Sequence, residues 1–135
     1  MTYKIIDIEG IGESYAEKLQ SAGIDTVEQL LQRCAKAYDR EKLATETGIS
    51  EKLILKWTNH ADLFRINGIG PQFAELLEAS GVDTVKELRH RRADNLAAKM
   101  AEVNETKHLT RRVPTAEQLQ AMIDEAAILE PVITY

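Results

Sequence analysis

Cysteine occurs once, at Cys34, so no intramolecular disulfide can hold this chain together. Proline occurs three times and aromatic residues make up only 5%, too few of either for an all-β sandwich with its many turns and aromatic core. No long apolar run exists. The longest stretch without a charge, Ile66 to Ala74, is nine residues, against the roughly 20 that a membrane helix requires. The opening MTYKIIDIEG has no apolar core of signal-peptide length. These absences point to a cytoplasmic chain with no membrane segment. Basic residues are also in deficit. Seventeen Lys and Arg face 22 Asp and Glu, giving a formal charge of −5 over 135 residues. That balance disfavours binding to a polyanion along the whole surface.

What is present is repetition. IEGIGESYAEKLQSAGIDTVEQL (8–30) and INGIGPQFAELLEASGVDTVKEL (66–88) align without a gap at an offset of 58, with 12 of 23 positions identical. The identities include Gly10/Gly68, Ile11/Ile69, Gly12/Gly70, Leu19/Leu77, Gly23/Gly81 and Thr26/Thr84. Two copies of one supersecondary unit are therefore expected. In each, apolar residues after the second glycine fall at helical spacing. Gly23 and Gly81 suit the left-handed residue that ends a helix. Thr26 with Gln29, and Thr84 with Glu87, read as capping boxes for the helix that follows. Pro71 fits a first helical turn. Further along, Asp39, Ser50, Asp94 and Thr115 read as N-caps, and Gly48 as a stop. Leu53, Trp57, Ala61 and Phe64 form one apolar side of a helix after Ser50. No segment alternates long enough for a strand. The prediction is an all-α fold of about eight to ten short helices.

The Ile-x-Gly-Ile-Gly sequence before a helix resembles the helix-hairpin-helix motif. There, two helices meet at a tight turn, and the turn's outward N–H groups at a helix N-terminus grip a phosphate without reading sequence. Gly10, Ile11 and Gly12, and Gly68, Ile69 and Gly70, are the matching turn residues. The glycines are expected to supply positive φ, and the isoleucines to plug the gap between helices. Gly48–Ser50 and Val113–Thr115 resemble degenerate second hairpins, offset by 65, which implies about seven additional residues near 97–107. The chain thus reads as a tandem helix-hairpin-helix protein with two paired-hairpin units, 1–62 and 63–135. YKIIDIEGIG, TGISEKLILKW, NHADLFRI, RRVP and PVITY together resemble a mainly bacterial family, domain of unknown function 4332. That resemblance implies the fold and carries no activity.

This chain departs from the phosphate-gripping pattern. Glu9, Glu13 and Glu17 surround the first turn, and no base follows the second glycine until Lys18. The second turn has Asn67, Pro71 and Gln72, with Arg65 before it. The segment 86–112 carries eight Lys and Arg against four acids. Arg65, Arg91, Arg92, Arg111 and Arg112 are accordingly the candidate contacts to phosphate or to an acidic partner. No aromatic residues interleave them for base stacking. His60, His90 and His108 lack metal-ligand spacing, and the glycine turns lack the lysine of a nucleotide loop. No metal, cofactor or catalytic residue is expected. The reading is a non-enzymatic adaptor for an unidentified protein partner. Sequence-independent DNA binding through the second half is the alternative.

Overall fold

Threonine starts three of the helices. Thr26, Thr84 and Thr115 Oγ1 accept hydrogen bonds from the N–H groups of Gln29, Glu87 and Gln118 at 3.2, 2.9 and 3.1 Å. Gln29 and Gln118 reach back to the N–H groups of Thr26 and Thr115, each at 3.0 Å, closing two capping boxes. Glu87 closes no box, because its carboxylate is held by Arg91 at 2.8 Å. Ser50 Oγ accepts from Leu53 N at 3.1 Å, so it caps as expected. Asp39 and Asp94 do not cap. They lie inside the first turns of their helices, whose N-caps are Lys36 and Arg92. A carboxylate in the first turn meets the positive end of the helix dipole without needing the cap position.

The computed structural model describes residues 3–135. After a short 3-10 turn (Ile5–Asp7) come eight α-helices among the described residues: α1 (Glu13–Ser21), α2 (Val27–Cys34), α3 (Ala37–Thr47), α4 (Glu51–Leu63), α5 (Pro71–Ala79), α6 (Val85–Arg89), α7 (Ala93–Lys107) and α8 (Ala116–Ile128). The one β feature among the described residues is an isolated bridge between Lys4 and Thr26. The fold is all-α. Two compact units are present, one of Met1–Asp62 with Pro131–Tyr135 and one of Leu63–Glu130.

Local geometry recurs at the sequence offsets. Helices α1 and α5 have nine residues each and start 58 apart. Helices α4 and α8 have thirteen each and start 65 apart. Between them, α3 has eleven residues and α7 fifteen. The α3–α4 connection is residues 48–50, whereas α7 and α8 are joined by 108–115. The additional residues of the second half are thus shared between a longer α7 and a longer connection, rather than confined to 97–107.

Gly10 and Gly68 hold φ of 95° and 91°, where a side chain is strained. Gly12 and Gly70 do not share that conformation. They are the N-caps of α1 and α5, at φ −89° and −109°, an extended geometry any residue adopts. Only the first glycine of each pair turns the chain back. Ile11 and Ile69, between the glycines, are buried, as are Leu19 and Leu77 on the helices that follow. Full burial of each such side chain contributes about 1.5–3 kcal/mol.

Helix α4 is buried at every position from Trp57 to Leu63, including Thr58, Asn59, His60 and Asp62. The C-terminal half of a helix expected to bury one side is therefore buried on all sides, while Glu51, Lys52 and Lys56 in its first half stay exposed. Part of the cover is the chain's own end. Residues 131–135, which the sequence assigns with the second half, belong to the first unit. Thr134 N donates to Ala35 O at 2.8 Å, Tyr135 Oη donates to Asn59 Oδ1 at 2.8 Å, and Ile133 is buried. Arg40, 5% exposed, holds this strap. Its guanidinium donates to the carbonyls of Cys34, Ala35 and Thr134 at 2.9, 3.0 and 2.6 Å.

Two expectations follow for equilibrium unfolding. Gly68→Val should cost about 1–3 kcal/mol, from a forced left-handed valine and a Cβ only 3.0 Å from Met122 Cε, while Gly12→Ser should be neutral or slightly stabilising. Equal effects at both positions would refute the division of labour between the glycines. Arg40→Ala strands three carbonyls, two of them beside the C-terminus of α2, and should cost about 2–4 kcal/mol by urea denaturation. A loss below 1 kcal/mol would show that the strap is not held through Arg40.

Candidate interaction site at the glycine turns and the basic segment

The two glycine turns close with the same hydrogen bonds. Ile11 N donates to Ile8 O at 3.1 Å, and Ile69 N to Ile66 O at 3.2 Å. The helices then begin with Ala16 N to Gly12 O and Ala74 N to Gly70 O, both at 2.9 Å. What surrounds the turns decides whether an anion can sit there. At the first, Glu9, Glu13 and Glu17 are all exposed. At the second, the N–H of Asn67 donates to Glu125 Oε1, on α8, at 3.0 Å. Pro71 removes a further donor from the start of α5. A carboxylate thus already stands at the second turn, and three stand around the first. A phosphate brought within about 4 Å of one such carboxylate is repelled by roughly 1 kcal/mol even in water.

Each turn also carries a residue from the last helix of its unit. A Cβ on Gly10 would lie 3.8 Å from Trp57 Nε1, and one on Gly68 would lie 3.0 Å from Met122 Cε. Trp57 and Met122 are 65 residues apart, the offset that relates α4 to α8. Trp57 is buried and meets Tyr15 edge-on, with ring centroids 5.0 Å apart. It is a core residue and offers no stacking platform.

The candidate arginines divide into those already engaged and those not. Arg91 donates to Gly81 O at 2.9 Å and to Glu87 Oε1 at 2.8 Å. Its counterpart 58 residues earlier, Arg33, donates to Ala22 O at 3.3 Å and to Glu46 Oε2 at 2.7 Å. In both copies an arginine clamps a carbonyl at the end of the helix that follows the glycine turn, α1 or α5. This pair lies three residues beyond the aligned segment, at the same offset, so the signal was in the sequence. Arg65, half-buried, donates to Glu130 O at 3.1 Å. Arg92 is exposed and 3.3 Å from Asp94. Asp94 is held below the usual carboxylate range, first by the N–H of Asn95 and then by Arg92. A shallow depression lined by Arg91, Arg92, Asp94, Glu117 and Gln120 has as many acids as bases. Arg111 and Arg112 are exposed, on the connection between α7 and α8.

Cys34 is fully buried, and burial pushes its thiol up to about 11 despite a hydrogen bond with Thr58. It remains protonated at neutral pH, whereas a nucleophilic cysteine requires the opposite shift. Among the described residues no group of three His, Cys, Asp or Glu side chains is placed to hold a metal ion, and no helix is long and apolar enough to cross a membrane.

Fold and site together define an all-helical chain whose halves share a left-handed glycine turn, a threonine cap and an arginine clamp. It belongs to the family described as Domain of unknown function (DUF4332), which matches residues 9–129. No curated protein and no solved structure matches the chain.

The division among the arginines has a measurable consequence. Arg91→Ala should lower stability by about 0.5–1.5 kcal/mol, since it releases a helix-end carbonyl and a half-exposed ion pair. Arg111→Ala and Arg112→Ala should stay within about 0.5 kcal/mol of the parent. Thermal unfolding of the three variants side by side tests this, and equal losses would refute it.

Proposed function

We propose that the chain is a non-enzymatic, cytoplasmic protein-interaction adaptor built from two paired helix-hairpin-helix units. The observation that carries this reading is the hydrogen bond from Asn67 N to Glu125 Oε1. It fills with an internal carboxylate the turn that would otherwise be the better phosphate site. The first turn, with Glu9, Glu13 and Glu17 exposed around it, opposes phosphate by charge alone. In this reading the hairpins serve as packing devices, and the surface outside them meets the partner. The net charge of −5 supports a protein rather than a polyanion as that partner. A single buried, protonated thiol suits a reducing compartment.

Sequence-independent binding of DNA is the second reading. The exposed Arg92, Arg111 and Arg112 favour it. Anisotropy titrations with short duplex and single-stranded DNA across a salt series separate the two. The adaptor reading expects no binding at about 150 mM salt, where screening reaches roughly 8 Å. Submicromolar affinity at that salt, lost in Arg65→Glu or Arg111→Glu, would overturn it. Each phosphate contact removed should then lower the salt slope by roughly 0.7–0.9.

A further inference from the structure

The α7–α8 connection is longer than the fold requires. In the first unit, helices α3 and α4 are joined by residues 48–50, with Gly48 left-handed at φ 74°. The second unit uses residues 108–115 for the corresponding join. That longer connection is nevertheless tightly ordered. His108 takes the left-handed position at φ 50° that glycine takes in the first unit. Asn104, on the last turn of α7, then grips the chain beyond it. Its Oδ1 accepts from Leu109 N and Thr110 N at 2.8 and 3.0 Å, and its Nδ2 donates to Thr110 O at 2.9 Å. Thr110 Oγ1 donates to Arg112 O at 2.8 Å, and Pro114 is buried. Five polar interactions and anchors of this kind fix a loop whose tip is Arg111–Arg112.

Both arginines are exposed, and among the described residues neither guanidinium makes a hydrogen bond or ion pair. Arg33, Arg40, Arg65, Arg91 and Arg92 all do. Around the tip, the sequence from Thr106 to Ala116 carries Lys107, Arg111 and Arg112 and no acid. An ordered backbone bearing two uncommitted guanidinium groups is preorganised for bidentate carboxylate binding, because the loop's ordering cost is met before the partner arrives.

We propose that the 108–112 loop is a docking surface for an acidic segment of a partner protein, with Arg111 and Arg112 as its contacts and Asn104 as the residue that positions them. This rests on the adaptor reading and names the surface it uses. A short acidic segment can engage the loop alone. A duplex would extend past it toward a protein whose net charge is −5.

The test uses the whole chain and a fluorescently labelled poly-glutamate peptide, with a poly-asparagine peptide as control, read by anisotropy at low and physiological salt. Binding to poly-glutamate alone is expected. The double variant Arg111→Ala/Arg112→Ala should weaken it by about tenfold or more, because both charge-assisted contacts are lost. Asn104→Ala leaves every charge in place and should still weaken binding by roughly threefold to tenfold, as expected for a loop that must be ordered on binding. Circular dichroism confirms that each variant is folded, and Asn104→Leu, which also leaves every charge in place, provides a second way to remove the grip if Asn104→Ala is not. Unchanged affinity in the double variant, or in both folded Asn104 variants, overturns the proposal. Absence of poly-glutamate binding overturns it too, and leaves the adaptor reading standing on the hairpin turns. Duplex DNA bound more tightly than poly-glutamate at physiological salt, through the same arginines, overturns both.

Discussion

A left-handed residue ahead of each unit's first α-helix, α1 or α5, is the constraint on which the rest of the structure depends. With φ near 90° at Gly10 and Gly68, the chain doubles back within a few residues. That reversal drops Ile11 and Ile69 into the core and leaves the next glycine extended as an N-cap. The helix that follows then ends at a second left-handed glycine, Gly23 or Gly81, and a threonine cap opens its partner. The turn also sets what lies against it. Met122 approaches Gly68 so closely that a Cβ there would lie 3.0 Å from its Cε, whereas Trp57 would keep an ordinary 3.8 Å contact with a Cβ on Gly10. An anion-binding hairpin keeps that side open to solvent. Here a helix side chain and, in the second unit, a carboxylate close on it.

The arginines show how charge and fold are coupled. Arg33, Arg40 and Arg91 each point at backbone carbonyls near helix ends, where the dipole is negative and acceptors are left over. A planar guanidinium can reach two or three such oxygens at once, which a lysine ammonium does less well. Counting bases along the sequence therefore overstates the positive surface. Of the basic segment's arginines, Arg91 is an internal clamp and Arg92 is balanced by Asp94. Arg89, half-buried, and the exposed Arg111 and Arg112 have no such side-chain partner among the described residues, and only the last two share one loop.

The sequence was most legible where structure is local. The threonine caps, Pro71 in the first turn of α5 and the stop at Gly48 all depend on residues within four positions of one another, and the repeat is the same local pattern written twice, 58 residues apart. It was less legible where a side chain reaches far along the chain. Nothing in periodicity marks Arg40 for Thr134, 94 residues away, or brings residues 131–135 back to the first unit. Helix α4 was read as one-sided because Leu53, Trp57, Ala61 and Phe64 align. Its burial extends to Asn59 because the returning strap covers that side too. In the sequence Asp39 and Asp94 look like caps because acids belong at both the cap and the first turn, and composition alone does not separate those positions. Asn104 was invisible for a related reason. A mid-polarity residue near a helix end has no pattern, and only the loop it grips gives it a role.

The two units share their turns, caps and clamps, so their differences carry information that the shared parts do not. In the first unit the helix join is three residues long and an exposed carboxylate, Glu46, sits beside it, paired to Arg33. In the second, where His108 replaces Gly48 as the left-handed helix end, the position equivalent to Glu46 is Thr106, and the clamp arginine pairs with Glu87 instead. A longer join adds only a modest closure cost, growing with the logarithm of its length, so the fold tolerates it readily. Tolerance does not explain order, however. An added surface segment with no role has no reason to be pinned by three side-chain bonds from Asn104, since an unpinned loop would satisfy its polar groups with water. The Asn104 bonds fix the backbone just before Arg111 and Arg112, so the second unit carries a pinned join with two exposed arginines where the first has a three-residue one.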